Sequence, residues 1–195
     1  MKLYMTPGAC SLADHIALTE AGIHVDAVKV DLATRRTEHG GNLTATNPKG
    51  YVPVLVLDDG EVLTVNVAIM AWSAEQAAHL VPPGPLGRYR NIEMLAFLAT
   101  EVHRPFMRSM FSPAEAEKQA AREAIAQRLD MLAGELSGDY LFGDGFSTAD
   151  ALFYVMVRWA RDSDIVVPES LLAYARRVEA RPAVIATLRE EELAA

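Results

Sequence analysis

Eight residues, Leu80–Gly87, hold three prolines and two glycines in the order LVPPGPLG. Proline removes an amide donor and fixes φ, so neither a helix nor a strand runs through such a segment. It reads as a linker, residues 80–88, between two stretches of different pattern. The 79 residues before it alternate strand and helix signals, whereas residues 89–195 are helical throughout. The expected fold class is therefore an α/β domain over 1–79 tied to an all-α domain over 89–195.

In the first stretch, Lys2 to Met5 is a short apolar run stopped by Thr6-Pro7-Gly8, a strand ending in a turn. From Ser11 the residues Leu12, Ile16, Ala17, Leu18 and Ala21 recur at helical spacing, and Gly22 closes the helix. Val25 to Leu32 reads as a second strand, with Val28 and Val30 sharing a face. A strand, a helix and a strand in that order predict a parallel pair. The polar segment 34–50 reads as a loop. Asp58-Asp59-Gly60 between two β-rich runs is a hairpin signal, and an amphipathic helix follows over about 66–79. The order is βαβ, then ββα.

Beyond the linker, Arg90 to Met110 carries Ile92, Leu95, Ala96, Ala99, Val102 and Phe106 as one apolar stripe, and Glu115 to Leu136 repeats Ile125, Leu129, Leu132 and Leu136. Ser147-Thr148-Ala149-Asp150 has the form of a capping box. The residues after it, ALFYVMVRWA, are apolar nearly all round, which predicts the buried centre of a bundle. Two further helices are expected near 168–180 and 182–190.

Composition excludes several classes of function. Lysine and arginine total 18 against 26 acidic residues, a formal charge of −8, so nucleic acid and anionic membrane are not expected partners. A single cysteine excludes an intrachain disulfide framework and any multi-cysteine metal site, and no metal is expected. One thiol fits a reducing compartment, and no run of apolar residues is long enough to span a bilayer or form a signal peptide. The expectation is a cytoplasmic, soluble protein.

Few side chains are placed to do chemistry. Cys10, in Pro7-Gly8-Ala9-Cys10-Ser11, stands where the first helix begins. Unpaired amides and the helix dipole at that position lower a thiol's pKa, although free cysteine also serves as a small buried apolar residue. Ser11 has two readings, a helix cap or a donor to a bound anion. Val52-Pro53 opens the hairpin, and a cis bond there would leave the Val52 backbone free to pair with an extended peptide. His103 and Arg104 lie on the first helix of the second domain. His15 reads as structural, Arg35 and Arg36 as a solvated pair, and Tyr4 as a strand residue near Cys10.

Four segments, MKLYMTPGACSLADHIALTEAG, ATNPKGYVPVLVLDDGEVLT, ATEVH and FSTADALFYVMVRWA, resemble the bacterial beta-class glutathione transferases over essentially the whole chain. The resemblance implies a thioredoxin-like N-terminal domain, a helical C-terminal domain, a homodimer, and a cleft that takes glutathione beside a hydrophobic electrophile. By position, Cys10 matches the family's cysteine, able to form a mixed disulfide with glutathione, and Ser11 the neighbouring hydroxyl. Arg35 stands where a lysine meets the glycyl carboxylate. Val52 matches the residue pairing with the cysteinyl backbone, Pro53 the cis-proline, His103 the helix histidine near the thiol, and Arg104 a lysine. The Ser147/Asp150 box matches the family's folding motif. The electrophile pocket is expected around Phe106, Met107, Met110 and Phe111.

This chain departs from the family pattern at Met5, where an aromatic is common, and at Ala96, where an asparagine is frequent. Val65 and Asn66 stand where an acidic residue and a small or hydroxyl residue hold the γ-glutamyl end. Under the resemblance Asn66 is expected to hydrogen-bond the γ-glutamyl carboxylate at the start of the helix, whereas Val65 has nothing for the ammonium. A lost charge-assisted bond costs about 1.5 to 3 kcal/mol. Two readings follow: a glutathione transferase working by conjugation or by exchange through Cys10, and a protein of that fold kept as a binding scaffold.

Overall fold

The computed structural model describes residues 1–163 and 165–193. The chain divides into two compact units, Met1–Ala78 with Arg181–Ala195, and His79–Ala180.

The first unit is built on β1 (Lys2–Met5), α1 (Ser11–Glu20), β2 (Asp26–Lys29), β3 (Val54–Val56), β4 (Val62–Thr64) and α2 (Asn66–Gln76). The sheet order is β2-β1-β3-β4. β1 runs parallel to β2, with Tyr4 opposite Val28, and antiparallel to β3, with Leu3 opposite Leu55. β3 and β4 form the hairpin expected at Asp58-Asp59-Gly60, where Gly60 takes φ +91°. β2 is shorter than the predicted 25–32, because Val30 leaves the ladder to bridge Thr37.

Alternation along β1 sorts its side chains between two cores. Leu3 and Met5 join Leu18 of α1, Leu55 and Ile69 of α2. Tyr4 turns the other way, onto Val30, Leu43, Val52 and Val54. The helices therefore cover one face and the loop from Val30 to Val52 the other. Met5 is buried, so the departure there from an aromatic is a matter of core packing.

The second unit contains α3 (Gly87–Phe97), α4 (Arg104–Phe111), α5 (Glu115–Glu135), α6 (Thr148–Arg161) and α7 (Glu169–Glu179). Leu98–His103 joins α3 to α4 as a wider π-helical turn, a feature often found at functional sites. The buried positions along this run are Asn91, Leu95, Leu98, Val102 and Phe106. This corrects the apolar stripe: Ala96 is exposed, while Ile92 and Ala99 lie half-buried at the edge. A stripe chosen by apolar identity passes over Asn91, whose side chain donates to Thr148 at 2.8 Å and accepts from the Ala149 amide at 3.2 Å.

α6 is buried from Thr148 through Val157, as its composition required. Its start carries the predicted capping box: the Asp150 amide donates to Ser147 Oγ, and the Ser147 amide donates to the Asp150 carboxylate at 2.9 Å. The Leu141 amide and the Tyr174 hydroxyl also donate to Asp150. Burial nevertheless pushes the Asp150 carboxyl above its ordinary value. No helix among the described residues is long and apolar enough to cross a membrane.

α8 (Pro182–Glu190) lies beyond the helical unit in sequence but groups with the first unit. Arg181 grips Glu20 at the end of α1 through two bonds, at 2.6 and 2.8 Å. Thr187 Oγ1 meets Thr19 Oγ1 at 3.1 Å. A linear division at the proline segment does not reveal this return of the chain to α1.

Candidate functional site

The segment between β1 and α1 reverses the chain within five residues, and Gly8 adopts φ +70° to allow it. The Ala9 amide donates to the Thr6 carbonyl at 3.0 Å, and Cys10 follows as the N-cap of α1. Ser11 closes the same turn. Its hydroxyl accepts from the Thr6 amide at 3.1 Å and donates to the Thr6 carbonyl at 3.3 Å. The residue is buried. Both sequence readings of the Ser11 hydroxyl, a helix cap or an anion donor, are therefore corrected: its bonding is spent on the turn.

Cys10 itself is half-buried, and its Sγ lies 3.9 Å from the Val52 carbonyl, toward which the thiol donates. Burial pushes the thiol up to about 12, and the Asp14 carboxylate pushes the same way. The Asn66 side chain and the amides of Cys10 and Ser11 pull it down, but less. Of the two readings of Cys10, these surroundings favour the buried thiol. The N-terminus of a ten-residue helix does favour negative charge, yet a desolvated sulfur beside a carboxylate loses more than those dipoles return.

Three separate elements converge on Cys10. The Val52–Pro53 peptide bond is cis and brings Val52 beside the sulfur. Asn66 opens α2 and sends its side-chain Nδ2 to two acceptors, the Cys10 carbonyl at 3.0 Å and Asp14 Oδ2 at 2.6 Å. Both amide hydrogens are thus committed within the protein, which leaves Oδ1 and the backbone amides of the first turn of α2 for other partners. Val65, just before it, holds φ +76° and is 39% exposed.

Asp14 is the functional residue that the sequence reading missed. It lies one helical turn beyond Cys10, wholly buried, and its Oδ1 has no hydrogen-bond partner. Burial raises its carboxyl well above 3.8, and the neighbouring Glu191 charge adds to that. The signal was present in the sequence, because LADHIAL places an acid inside an apolar run and a buried acid demands a reason.

Arg35 lies at φ +62° in the loop after β2, and its guanidinium donates to the Leu32 carbonyl. Arg36 is exposed and reaches the Gly40 carbonyl at 3.3 Å. His15 is structural, as read: its Nδ1 meets Glu191 at 3.0 Å and its Nε2 meets Glu190 at 3.1 Å.

In the second unit, His103 closes the π-helical turn. Its ring tilts on Trp159 at 5.6 Å, Nε2 is buried without a partner, and burial lowers its pKa. Arg104 is exposed beside it. Phe106 is wholly buried edge-on to Trp159, which corrects its placement in a substrate pocket: it is core. Met107 is half-buried, while Met110 and Phe111 are exposed, Phe111 by 74%. A groove of about 430 Å³ lies between α4 and α5, lined by Pro105, Arg108, Glu117, Ala120, Ala121 and Ala124. None of the four expected pocket residues lines it.

Residues 9–76 match the glutathione S-transferase N-terminal domain, and residues 95–182 match the glutathione S-transferase C-terminal domain. Over 201 aligned residues the chain is 38% identical to Glutathione S-transferase GstA of Escherichia coli O157:H7, covering 99% of this chain and 100% of that one. The chain belongs to the glutathione S-transferase family.

Solved glutathione S-transferases agree with that assignment over the full length. A sphingomonad glutathione S-transferase complexed with glutathione is 45% identical, with a TM-score of 0.93 and complete coverage of both chains. The bacterial beta-class glutathione S-transferase of Sphingomonas chungbukensis is 44% identical, with a TM-score of 0.92 and the same coverage. The class read from PGACS and NPKGYVP is thus the right one. The sheet with α1 and α2 is the thioredoxin-like half of a glutathione S-transferase, and the unit from α3 to α7 is its helical half.

Proposed function

We propose that this protein binds reduced glutathione at the Cys10 end of α1 and conjugates it to a hydrophobic electrophile. The observation that carries the reading is the Asn66 bridge, which fastens the N-terminus of α2 to that of α1 at Cys10, beside the Val52 backbone. Two helix N-termini favour an anionic ligand, and an extended backbone segment favours a peptide. The sphingomonad enzyme of similar sequence is described as complexed with glutathione.

In this reading Val52 pairs with the cysteinyl part of the tripeptide, and Pro53 sets the direction of that segment. The first-turn amides of α2 at Asn66 take the γ-glutamyl carboxylate. Arg35 meets the glycyl carboxylate, and Ser11 fixes the turn that presents Cys10. The glutathione sulfur is the nucleophile. It loses its proton to solvent, forms a carbon–sulfur bond with the electrophile, and the leaving group departs with its electron pair. Cys10, held as a thiol, is a hydrogen-bond donor suited to that sulfur as it ionises. The working form is a homodimer in the cytoplasm.

Calorimetric titration of the reduced protein and of Cys10→Ala with reduced glutathione tests the reading, followed by turnover with an aromatic halide. Saturable binding in both and turnover in the wild type are expected. Absence of binding in both would overturn it in favour of a scaffold, and sedimentation of a monomer would overturn the dimer.

A further inference from the structure

Asp14 and Cys10 share one face of α1 at a spacing of four residues. The Val52 carbonyl, 3.9 Å from the sulfur, suits a thiol better than a thiolate, and the Asp14 charge acts the same way, against a smaller opposite pull from the Asn66 side chain and the Cys10 and Ser11 amides. The Asn66 amide ties the two residues together by bonding the Cys10 carbonyl and Asp14 Oδ2, while Asp14 Oδ1 is buried and unpartnered.

We propose that Asp14 is a positioning residue that keeps Cys10 as a thiol, and so directs the site toward conjugation by bound glutathione and away from exchange through Cys10. The consequence for the reaction rests on the proposed function above; the effect on Cys10 does not. The two groups lose protons in sequence. The Asp14 charge opposes ionisation of the sulfur, which is itself desolvated. The titratable groups facing this pair are Glu191, from the segment after α8, and beyond it His15, whose Nδ1 is bonded to Glu191. Asn66, from α2, is neutral. No lysine, arginine or histidine among the described residues bonds Asp14.

Exchange needs the Cys10 thiolate to attack a disulfide sulfur of oxidised glutathione. A protein–glutathione disulfide forms, and the other glutathione leaves as a thiolate. Suppressing the attacking thiolate slows this step. Conjugation, in which glutathione is the nucleophile, does not use a Cys10 thiolate.

The test is alkylation of Cys10, the chain's one cysteine, by iodoacetamide, followed by mass from about pH 6 to about pH 10 in wild type, Asp14→Asn and Asp14→Ser. Asparagine keeps an oxygen for the Asn66 amide. At fixed pH near 8, Asp14→Asn is expected to react about tenfold faster, since one unit of thiol pKa is tenfold in thiolate. Oxidised glutathione is expected to load the variant faster by a similar factor. Equal or slower alkylation in a variant with wild-type circular dichroism would overturn the proposal. The wild-type rate is expected to climb still at about pH 10, and a plateau near the ordinary thiol value of about 8.5 overturns the proposal. Because alkylation needs no glutathione, failure here is distinguishable from failure of the transferase reading.

Discussion

Glu191 and His15 stand 176 positions apart in sequence, and the Glu191 carboxylate lies 3.0 Å from His15 Nδ1 with both side chains buried. The other oxygen of Glu191 accepts from the Gly8 amide at 3.0 Å, two residues before Cys10. One carboxylate from the end of the chain therefore fixes both the middle of α1 and the turn that leads into it.

Glu191→Ala removes one side of a buried pair, together with the carboxylate to which the Gly8 amide donates. A loss of about 3 kcal/mol is expected in urea unfolding. Glu190, which meets the other His15 nitrogen, is 58% exposed, and Glu190→Ala is expected to cost less than about 1 kcal/mol. Equal losses in the two variants would contradict the assignment of the buried contact as the structural one.

Val65 combines a branched side chain with φ +76° and ψ 129°, a backbone region nearly reserved for glycine. Relief of strain outweighs the added freedom of the unfolded chain, so Val65→Gly is expected to raise stability by about 1 kcal/mol. A lower unfolding midpoint would refute this. Val65→Glu places a carboxylate where the γ-glutamyl ammonium is expected, and calorimetry should show glutathione binding about tenfold tighter. Unchanged affinity would mean that another group already holds the ammonium.

Asp14 gives a pH signature of definite sign. Its carboxyl lies well above 3.8 in the folded chain and near that value when unfolded. As pH rises through that interval the unfolded state gives up the proton first, so the folded state binds more protons and wild-type stability falls. Asp14→Asn lacks this effect. The variant's advantage in urea unfolding is therefore expected to be absent below about pH 3.8 and to widen as pH rises toward the folded-state value. A constant gap across that range would contradict a raised carboxyl.

Ser147→Ala removes the hydroxyl that accepts from the Asp150 amide and lies 2.6 Å from the Asp150 carboxylate. The expected cost is about 1 to 2 kcal/mol by thermal or urea unfolding. Ser147→Thr should recover most of it. Failure of threonine to restore stability would place the effect outside the cap.

The sequence by itself determined the parallel β1–β2 pair, the Asp-Gly hairpin, the capping box at Ser147 and the all-round burial of α6. It also determined the family, through PGACS and NPKGYVP. These features rest on neighbours in sequence, since turns, caps and hydrophobic period are set within a few residues. Only the tertiary structure decided the surroundings of Cys10, the inward turn of Ser11, the burial of Phe106 and the return of α8 to α1. Each depends on partners far along the chain: Val52, Asn66 and Asp14 around the sulfur, Trp159 against Phe106, Glu20 against Arg181. The helix dipole at Cys10 was legible from position alone. The desolvation that outweighs it was not, because how much water a sulfur loses is set by what packs over it after the chain has folded.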